Sequence, residues 1–453
     1  MVGTETRKPV RRCCRRLTVV FALFAVLGLR NDPARADGAF PDGIGILLPS
    51  DQLNKIIAAT NFGLLVSDDN GASWAWVCEE AIGLNAFIYQ QGAAPDDLLL
   101  AVSLDGLKYS SDFGCTWNRS GGTVSTGYVY DVFPDPVAPL HAYALVRRNS
   151  TDGGAPYQQL HDSLDGDQTF GSPLFTSPPG PQERYLSGIE NARSRAQRLY
   201  LTAYDRTPVH PYLHRSDNDG GTWQQVDLAP LPGSALQGYT VALIAVDPAN
   251  ANLIYLRLID SVTGRERLGI YDDGVGAVRV SFDLPSPMRA FLRRSSDGAL
   301  IVASSNGQAF ISADQGATFT SLANPPHIRA LGERAGIIYA VTDNFLDGYA
   351  VARSVDQGVT WQALVRYEQL TGPKHCGNLE ATCAVPWQTL QATLRGALDA
   401  GNPDAGPRPA NSGCTQGPSN EGMPWSFSIA VPLIVAMGLL AIRRKPRERR
   451  TDN

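Results

Sequence analysis

The sequence is short of charge and of the motifs that carry common enzyme chemistry. Only 18% of its 453 residues are Asp, Glu, Lys or Arg, whereas 44 glycines and 31 prolines punctuate the chain. It contains no G-x-S-x-G nucleophile motif, no H-E-x-x-H zinc motif and no phosphate-binding loop. The low charge and abundant turn formers argue against a long-helix protein and favour many short strands.

Recognisable metal ligands are also scarce. Of six histidines only His210 and His214 lie close together, and Pro211 between them argues against a helical pair of ligands. The acidic stretches "DNDG" (217–220) and "DGD" (165–167) lack the ligand spacing of a calcium loop. The sequence therefore predicts no metal ion and no cofactor.

Long apolar runs occur only near the two ends. Residues 1–36 combine a basic leader, the thirteen-residue run "LTVVFALFAVLGL" (17–29) and a small-x-small pattern that ends at Ala36. This organisation is typical of a secretory signal peptide and predicts a mature chain that starts near Asp37. A retained N-terminal anchor is the alternative.

The second apolar run, "WSFSIAVPLIVAMGLLAI" (425–442), contains eighteen uncharged residues and is followed by the basic stretch 443–453. A run of this length can cross a membrane, and the basic residues favour a cytoplasmic end. We therefore expect a single transmembrane segment and a cytoplasmic tail. The alternative is a buried core helix.

The part between the two ends is acidic. Residues 37–413 contain 25 Lys and Arg but 39 Asp and Glu, a net charge of −14. Such a domain repels nucleic acid and anionic lipid, so both are poor partners for it.

A short pattern, S-x-[DN]-x-G-x-[ST]-[WF], recurs along this central part. Its first copy is "SDDNGASW" (67–74). The five good copies use the following residues: Ser67, Asp69, Gly71, Ser73 and Trp74; Ser110, Asp112, Gly114, Thr116 and Trp117; Ser216, Asn218, Gly220, Thr222 and Trp223; Ser312, Asp314, Gly316, Thr318 and Phe319; and Ser354, Asp356, Gly358, Thr360 and Trp361.

Two weaker copies complete the series. "SLDGDQTF" (163–170) has Asp167 at the glycine position, and "LGIYDDGVGAVRV" (268–280) retains only Tyr271 and Asp273. The seven copies start 41 to 55 residues apart, and β-rich runs flank each good copy. Such a period indicates a repeat architecture, and three or four strands in each of seven units predict a seven-bladed β-propeller over 37–370.

The repeated pattern resembles the Asp-box, or BNR-repeat, propellers, which include sialidases, sortilin-type receptors, xyloglucan hydrolases and photosystem assembly factors. The resemblance implies that each box is a hairpin between the third and fourth strands of a blade. Its Ser and Asp side chains would hydrogen-bond the backbone of the turn, its Gly would take a positive φ, and its aromatic residue would pack into the blade.

Five cysteines remain in the exported part. Cys376 and Cys383 enclose a short loop and are expected to pair, and Cys78 and Cys115 lie one period apart and are expected to join neighbouring blades. A zinc site is the alternative, although no C-x-x-C spacing supports it. Cys414 is then left unpaired.

The region after the propeller divides into three parts. Residues 371–400 combine the cysteine loop with a predicted helix, "VPWQTLQATLRGALDA" (385–400), and 401–424 read as a flexible linker. Gly413–Cys414, the apolar run and the arginine cluster together resemble the myxobacterial MYXO-CTERM sorting tail. That resemblance implies processing and lipid attachment at Cys414. A plain membrane anchor is the alternative, and either arrangement predicts a propeller outside the cytoplasm.

Three functional classes stay open at this point. A sialidase-like hydrolase needs an arginine motif near the start of the propeller, and residues 40–55 contain no arginine. Glu79 and Glu80 are paired carboxylates, but a solvated turn explains them. A scaffold for envelope assembly rests on fold analogy alone. We therefore predict a non-catalytic, surface-tethered module that binds a glycan or a protein, with no catalytic residue assigned.

Overall fold

The computed structural model describes residues 41–150, 154–178, 183–231 and 235–401, and for 396–401 the backbone alone. None of the helices in these ranges is long and apolar enough to cross a membrane. The expected signal peptide with Ala36, and Cys414 with the apolar run and basic tail, lie outside the described residues.

Seven four-stranded antiparallel sheets, the blades, make up the fold. Each blade is built from one continuous stretch of chain, and its strands are hydrogen-bonded in chain order. The predicted seven-bladed, all-β propeller is confirmed. A short parallel pair, β9 (Gly121–Gly122) with β13 (Thr169–Phe170), lies outside the blades.

The strands of the first four blades are β1 (Gly43–Leu47), β2 (Ile56–Thr60), β3 (Gly63–Ser67), β4 (Ala75–Cys78); β5 (Ile88–Gln91), β6 (Leu99–Ser103), β7 (Gly106–Ser110), β8 (Asn118–Arg119); β10 (Tyr128–Pro134), β11 (Ala142–Arg148), β12 (Tyr157–Ser163), β14 (Phe175–Thr176); and β15 (Arg184–Ala192), β16 (Arg195–Arg206), β17 (Val209–Ser216), β18 (Gln224–Asp227). The strands of the last three are β19 (Tyr239–Val246), β20 (Leu253–Asp260), β21 (Glu266–Asp272), β22 (Ala277–Asp283); β23 (Met288–Arg293), β24 (Leu300–Ser304), β25 (Ala309–Ser312), β26 (Thr320–Ser321); and β27 (Ile328–Arg334), β28 (Ile337–Thr342), β29 (Val351–Ser354), β30 (Gln362–Val365).

The core lies between the blades. The second strand of a blade is apolar and buried on both sides, and every residue of β2 and β6 is buried. A continuous apolar run is expected where both faces of a sheet are covered by neighbours. The described helices are α1 (Glu79–Ile82), α2 (Asn344–Asp347) and α3 (Leu379–Gly401), with two short 3₁₀ turns at Thr123–Thr126 and Tyr367–Gln369.

The repeated octapeptides form the turn between the third and fourth strands. In blade 1 the Ser67 hydroxyl donates to Asp69 Oδ1 (2.8 Å) and accepts from the Gly71 N–H (2.8 Å). Asp69 accepts from the Ser73 N–H (2.9 Å), and Trp74 Nε1 donates to the Gly71 carbonyl (3.1 Å). Gly71 has φ +92°, which explains why glycine is favoured there. The same Ser and Asp/Asn bonds recur in blades 2, 4, 6 and 7.

The two weak copies lie at the same turn. In blade 3, Asp167 takes the glycine position with φ +66°, and its N–H still donates to Ser163 (3.1 Å). In blade 5 the turn has lost the serine. There the Tyr271 hydroxyl, at the serine position, donates to Asp273 (3.2 Å). Asp273 also accepts hydrogen bonds from Arg215 (2.5 Å) and the Tyr200 hydroxyl (3.1 Å) of blade 4, so a contact between blades is added to the one within the turn.

Among the strands of the described ranges none is shared between the first and last blades, which are joined there by side-chain and loop contacts. Strand β1 contacts both β5 and β27. The buried guanidinium of Arg334, at the end of β27, donates to the carbonyl oxygens of Pro49 (3.0 Å), Gln52 (3.3 Å), Leu53 (2.7 Å) and Lys55 (2.6 Å). One cation thus holds the whole loop between β1 and β2 against blade 7.

Both expected disulfide pairings are wrong. The bonds join Cys78 to Cys383 and Cys115 to Cys376, across 305 and 261 residues. The reason is that the chain after blade 7 returns along the outer edge of blade 1. There the Trp76 N–H donates to the Gly372 carbonyl (2.8 Å) and the Lys374 N–H to the Trp76 carbonyl (2.8 Å). All four cysteines are disulfide-bonded, but each bond ties the C-terminal segment to an early blade.

The C-terminal helix also differs from its prediction. It starts at Leu379, six residues before the predicted start, and contains Pro386 inside it. Leu379, Cys383, Leu390 and Leu394 are buried with blade 1. This packing and the disulfide explain why the helix continues through a proline, which normally costs about 3 kcal/mol in a helix interior.

Replacing Arg334 with Met should weaken ring closure, since four backbone carbonyls, two of them in buried hydrogen bonds, lose a charged donor. We expect the free energy of unfolding to fall by roughly 2 to 4 kcal/mol, measured by denaturant unfolding. Arg395→Met, at an exposed position of α3, is the control and should change it by less than about 0.5 kcal/mol. An unchanged midpoint for Arg334→Met would show that closure does not depend on this side chain.

Candidate functional site

The innermost strands of the seven blades surround a central channel with a cavity volume of about 280 Å³. Residues of β1, β5, β10, β15, β19, β23 and β27 line it, together with Arg257 from β20. In a propeller these strands have one free edge, so backbone groups as well as side chains face the channel. It is a concave site to which all seven blades contribute.

Six of these seven innermost strands contain a β-bulge. In each, two residues of the inner strand face one residue of the next strand. The bulged residues are Ile44, Tyr130, Ser187, Ile244, Arg289 and Arg329. All of these except Tyr130 line the channel. A bulge redirects its extra side chain, and in blades 6 and 7 that side chain is an arginine.

The arginine side of the channel belongs to blades 5 to 7. Arg257 forms a buried bidentate pair with Glu266, with Nε 2.7 Å from Oε2. Arg329 pairs with Asp42 (3.0 Å) and Asp343 (2.6 Å). These two cations are therefore already neutralised by carboxylates.

Arg289 lies between them and differs. Its Nε is buried without a hydrogen-bond partner, and no carboxylate of the described residues lies within ion-pair distance of its guanidinium. Burial, and then the charge of Arg329, lowers the pKa of Arg289. A half-buried guanidinium without a partner is costly and is satisfied when an anionic group binds.

The opposite side of the channel, in blades 3 and 4, presents two carboxyl groups. Asp131 accepts from the N–H of Val132 (3.0 Å), and Glu190 accepts from the N–H of Val246 on the free edge of blade 5 (2.8 Å). Burial raises the pKa of Asp131 to about 7, and burial, with a smaller effect of the Asp131 charge, raises the pKa of Glu190 to about 8. At pH 7 Glu190 is largely protonated and Asp131 is about half protonated.

The blades rise to different heights around the mouth of the channel. Above the bulge, the first two strands continue for one residue pair in blades 1, 6 and 7, but for three pairs in blade 4 and five in blade 5. At 3.4 Å per pair, blades 4 and 5 extend roughly 7 to 14 Å further. The mouth is therefore a notch, high beside blades 4 and 5 and open beside Arg289.

The residues singled out in the sequence lie away from this notch. The Asp-box turns are at the opposite ends of the blades, since they follow the third strand. His214 is buried, and burial lowers its pKa to about 4. His210 pairs instead with Asp227 (2.7 Å). Tyr271, from the weak copy in blade 5, is buried. In the ranges that the structure describes, no three His, Cys, Asp or Glu residues are placed to hold a metal ion.

Sequence reasoning missed Arg289, Asp131 and Glu190, because no motif contains them. A weaker signal was present. Each is a charged residue inside a first strand, in "MRAFL", "VYDVF" and "SGIEN". A charge in a strand that should be buried indicates either a partner or a site.

Comparisons with known proteins show the fold alone. No protein-family model matches the chain, and no curated protein matches it by sequence. Among solved structures, the chain is similar to the GH74 xyloglucanase from Xanthomonas campestris, with 14% identity and a TM-score of 0.50 over 73% of this chain and 55% of that one. The chain thus spans about half the length of that enzyme.

Two further structures are similar at a lower score. YCF48 from Cyanidioschyzon merolae gives 11% identity and a TM-score of 0.45, covering 66% of this chain and 92% of that one. The extracellular domain of the hybrid two-component system BT4673 from B. thetaiotaomicron gives 13% identity and a TM-score of 0.47, covering 70% and 38%.

The buried carboxyl groups predict a specific pH dependence. Their pKa values are higher in the folded than in the unfolded chain, so from about pH 4 to pH 8 the folded state holds protons that the unfolded state has released. The free energy of unfolding should therefore fall as pH rises through this window. Between pH 5 and pH 8.5, Asp131→Asn should remove about 3 kcal/mol of this loss and Glu190→Gln about 4 kcal/mol.

Urea unfolding at the two pH values measures this difference. Asp96→Asn, at an exposed position of the loop before β6, is the control and should keep the wild-type slope. If the free energy of unfolding changes equally with pH in wild type and in all three variants, Asp131 and Glu190 ionise in the folded protein as they do in water.

Proposed function

We propose that the chain is an exported, surface-tethered propeller that acts as a non-catalytic binding module for a glycan or a protein. Its binding site is the notch at the channel mouth, and the group it recognises there is a carboxylate. The observation that carries the proposal is Arg289, a half-buried cation that faces the channel without a partner. Tethering follows from the apolar run 425–442, or from lipid attachment at Cys414, as the sequence predicts.

The two disulfides support export. Disulfides form and persist in oxidising compartments and are rare in the cytosol. Here both bonds join segments more than 250 residues apart in sequence, and without them the chain after Leu370 would be held to blades 1 and 2 by non-covalent contacts alone. The expected signal peptide would deliver the chain to such a compartment.

The net charge of the domain limits which classes of ligand can bind. The exported part has a net charge of −14, which repels long polyanions such as nucleic acid. At physiological ionic strength this field is screened beyond about 8 Å, whereas a contact at Arg289 is not. The ligand must therefore carry little overall negative charge and still offer a carboxylate to Arg289. A neutral or weakly acidic polymer with isolated carboxylates, such as a uronic-acid glycan, meets both requirements. The carboxylate of a protein segment meets them as well.

A glycoside hydrolase is the second candidate, because Asp131 and Glu190 place two carboxyl groups at one channel. Hydrolysis needs one protonated acid and one ionised carboxylate that acts as base or nucleophile. Near pH 7 burial keeps Glu190 largely protonated and leaves Asp131 about half protonated, and each carboxyl already accepts a hydrogen bond from a backbone N–H. These two hydrogen bonds fit a structural role for both carboxyls and favour binding over catalysis.

Arg289→Gln should weaken retention on immobilised polygalacturonate that is mostly methyl-esterified, so that its free carboxylates are isolated, by about tenfold or more, since a charged hydrogen-bonded pair is lost. The measurement is retention of the full chain in detergent, with fully methyl-esterified polygalacturonate as the uncharged matrix. Arg395→Gln is the matched control and should bind like wild type. If wild type and Arg289→Gln are retained equally on the charged matrix, Arg289 is not the recognition site.

The same experiment tests hydrolysis. Mass spectrometry of the soluble fraction should detect no released oligosaccharides above a boiled control. Release that disappears in Asp131→Asn or Glu190→Gln would replace the binding proposal with a hydrolase. If the protein releases no oligosaccharides and is retained on neither the charged nor the uncharged matrix, the partner is a protein and not a glycan.

A further inference from the structure

The two disulfides lie in different environments. Cys78 and Cys383 are 0% exposed and belong to the apolar core of blade 1. Cys115 and Cys376 are only partly buried, at the Asp-box turn of blade 2 and in the loop before α3. A thiol from solution can therefore approach Cys115–Cys376 in the folded protein, whereas Cys78–Cys383 is reached only when blade 1 opens.

A lysine lies beside the exposed bond. Lys374 Nζ is 3.7 Å from Cys115 Sγ and 3.4 Å from the Phe113 carbonyl oxygen, which holds the ammonium in place. Burial lowers the pKa of Lys374. The Lys55 ammonium also lowers this pKa, whereas the carboxylates of Asp68 and Asp112 raise it. An adjacent cation stabilises a thiolate and makes that sulfur the better leaving group.

We propose that Cys115–Cys376 is a thiol–disulfide exchange site, open to small thiols and to the exposed dithiols of redox proteins, with Lys374 positioned to stabilise the departing Cys115 thiolate. The incoming thiolate attacks Cys376 Sγ, a new S–S bond forms there, and the electron pair of the old bond leaves on Cys115. A second thiol of the reductant then attacks the mixed disulfide, releasing Cys376 as a thiol and the reductant as a disulfide. Two electrons thus pass from the dithiol to the protein.

The surrounding fold is arranged to survive this cleavage. The Thr371 N–H donates to the Trp74 carbonyl (2.9 Å), and the bonds between Trp76 and residues 372 and 374 keep the segment along β4. Cys383 remains bonded to Cys78. Reduction therefore removes the covalent link between blade 2 and the C-terminal segment, while blade 1 stays joined to α3.

The test uses the oxidised full chain in detergent at pH 7 with dithiothreitol. Free thiols are trapped with N-ethylmaleimide at timed intervals and quantified by peptide mass spectrometry. We expect Cys115 and Cys376 to be alkylated together, at least about tenfold faster than Cys78 and Cys383. Near-UV circular dichroism should stay native while the first bond is reduced. Equal rates for the two bonds, or reduction only as the spectrum is lost, would overturn the proposal.

Lys374 is tested by a pair of variants. Lys374→Gln should slow reduction of Cys115–Cys376 by about three- to tenfold without changing Cys78–Cys383, and Lys374→Arg should restore most of the rate because the charge is kept. If Lys374→Gln is reduced as fast as wild type, the lysine does not assist the leaving sulfur. If Lys374→Gln does not fold, a reduction rate of Lys374→Arg far below that of wild type overturns the role of the charge.

Discussion

The ring depends on how its first and last blades are held together, because each blade is made from its own stretch of chain. In the part of the chain that the structure describes, no strand pairing joins blade 7 to blade 1. Their junction combines the Arg334 guanidinium, which satisfies four carbonyls of one loop, with a C-terminal segment that is hydrogen-bonded and disulfide-bonded across blades 1 and 2. Many propellers need no such closure when one blade takes strands from both ends. Here side chains and covalent bonds after the last blade replace that shared sheet.

The channel follows from the same architecture. Seven innermost strands each leave one edge without a strand partner, and buried edge groups need hydrogen bonds. Asp131 and Glu190 accept two of these hydrogen bonds. Because both carboxyl groups are buried there, their pKa values are raised. The bulges then place Arg289 and Arg329 on the opposite side. The channel thereby acquires separate acidic and basic sides without any direct pair between Arg289 and Asp131 or Glu190.

The sequence could predict the fold because its signal is local and repeated. Ser, Asp and Gly at fixed offsets build one turn, and seven such turns count the blades even where Asp167 replaces the glycine. The disulfide pairing failed because it depends on where the chain goes after blade 7, and no local pattern records that path. Arg289 escaped prediction for a related reason: a bulge changes the direction of its side chain, and a bulge is a property of two paired strands.

The C-terminal segment and its two disulfides also determine where a mechanical load would enter the molecule. A pull on the chain beyond Gly401 reaches α3 first and then passes through the Cys383–Cys78 bond into blade 1. The seventh blade, although it directly precedes this segment in sequence, is bypassed by the covalent route. Blade 1 in turn receives the load on its outer strand, far from the inner strands that line the channel. A binding face on such a support can stay undeformed while its attachment is under tension.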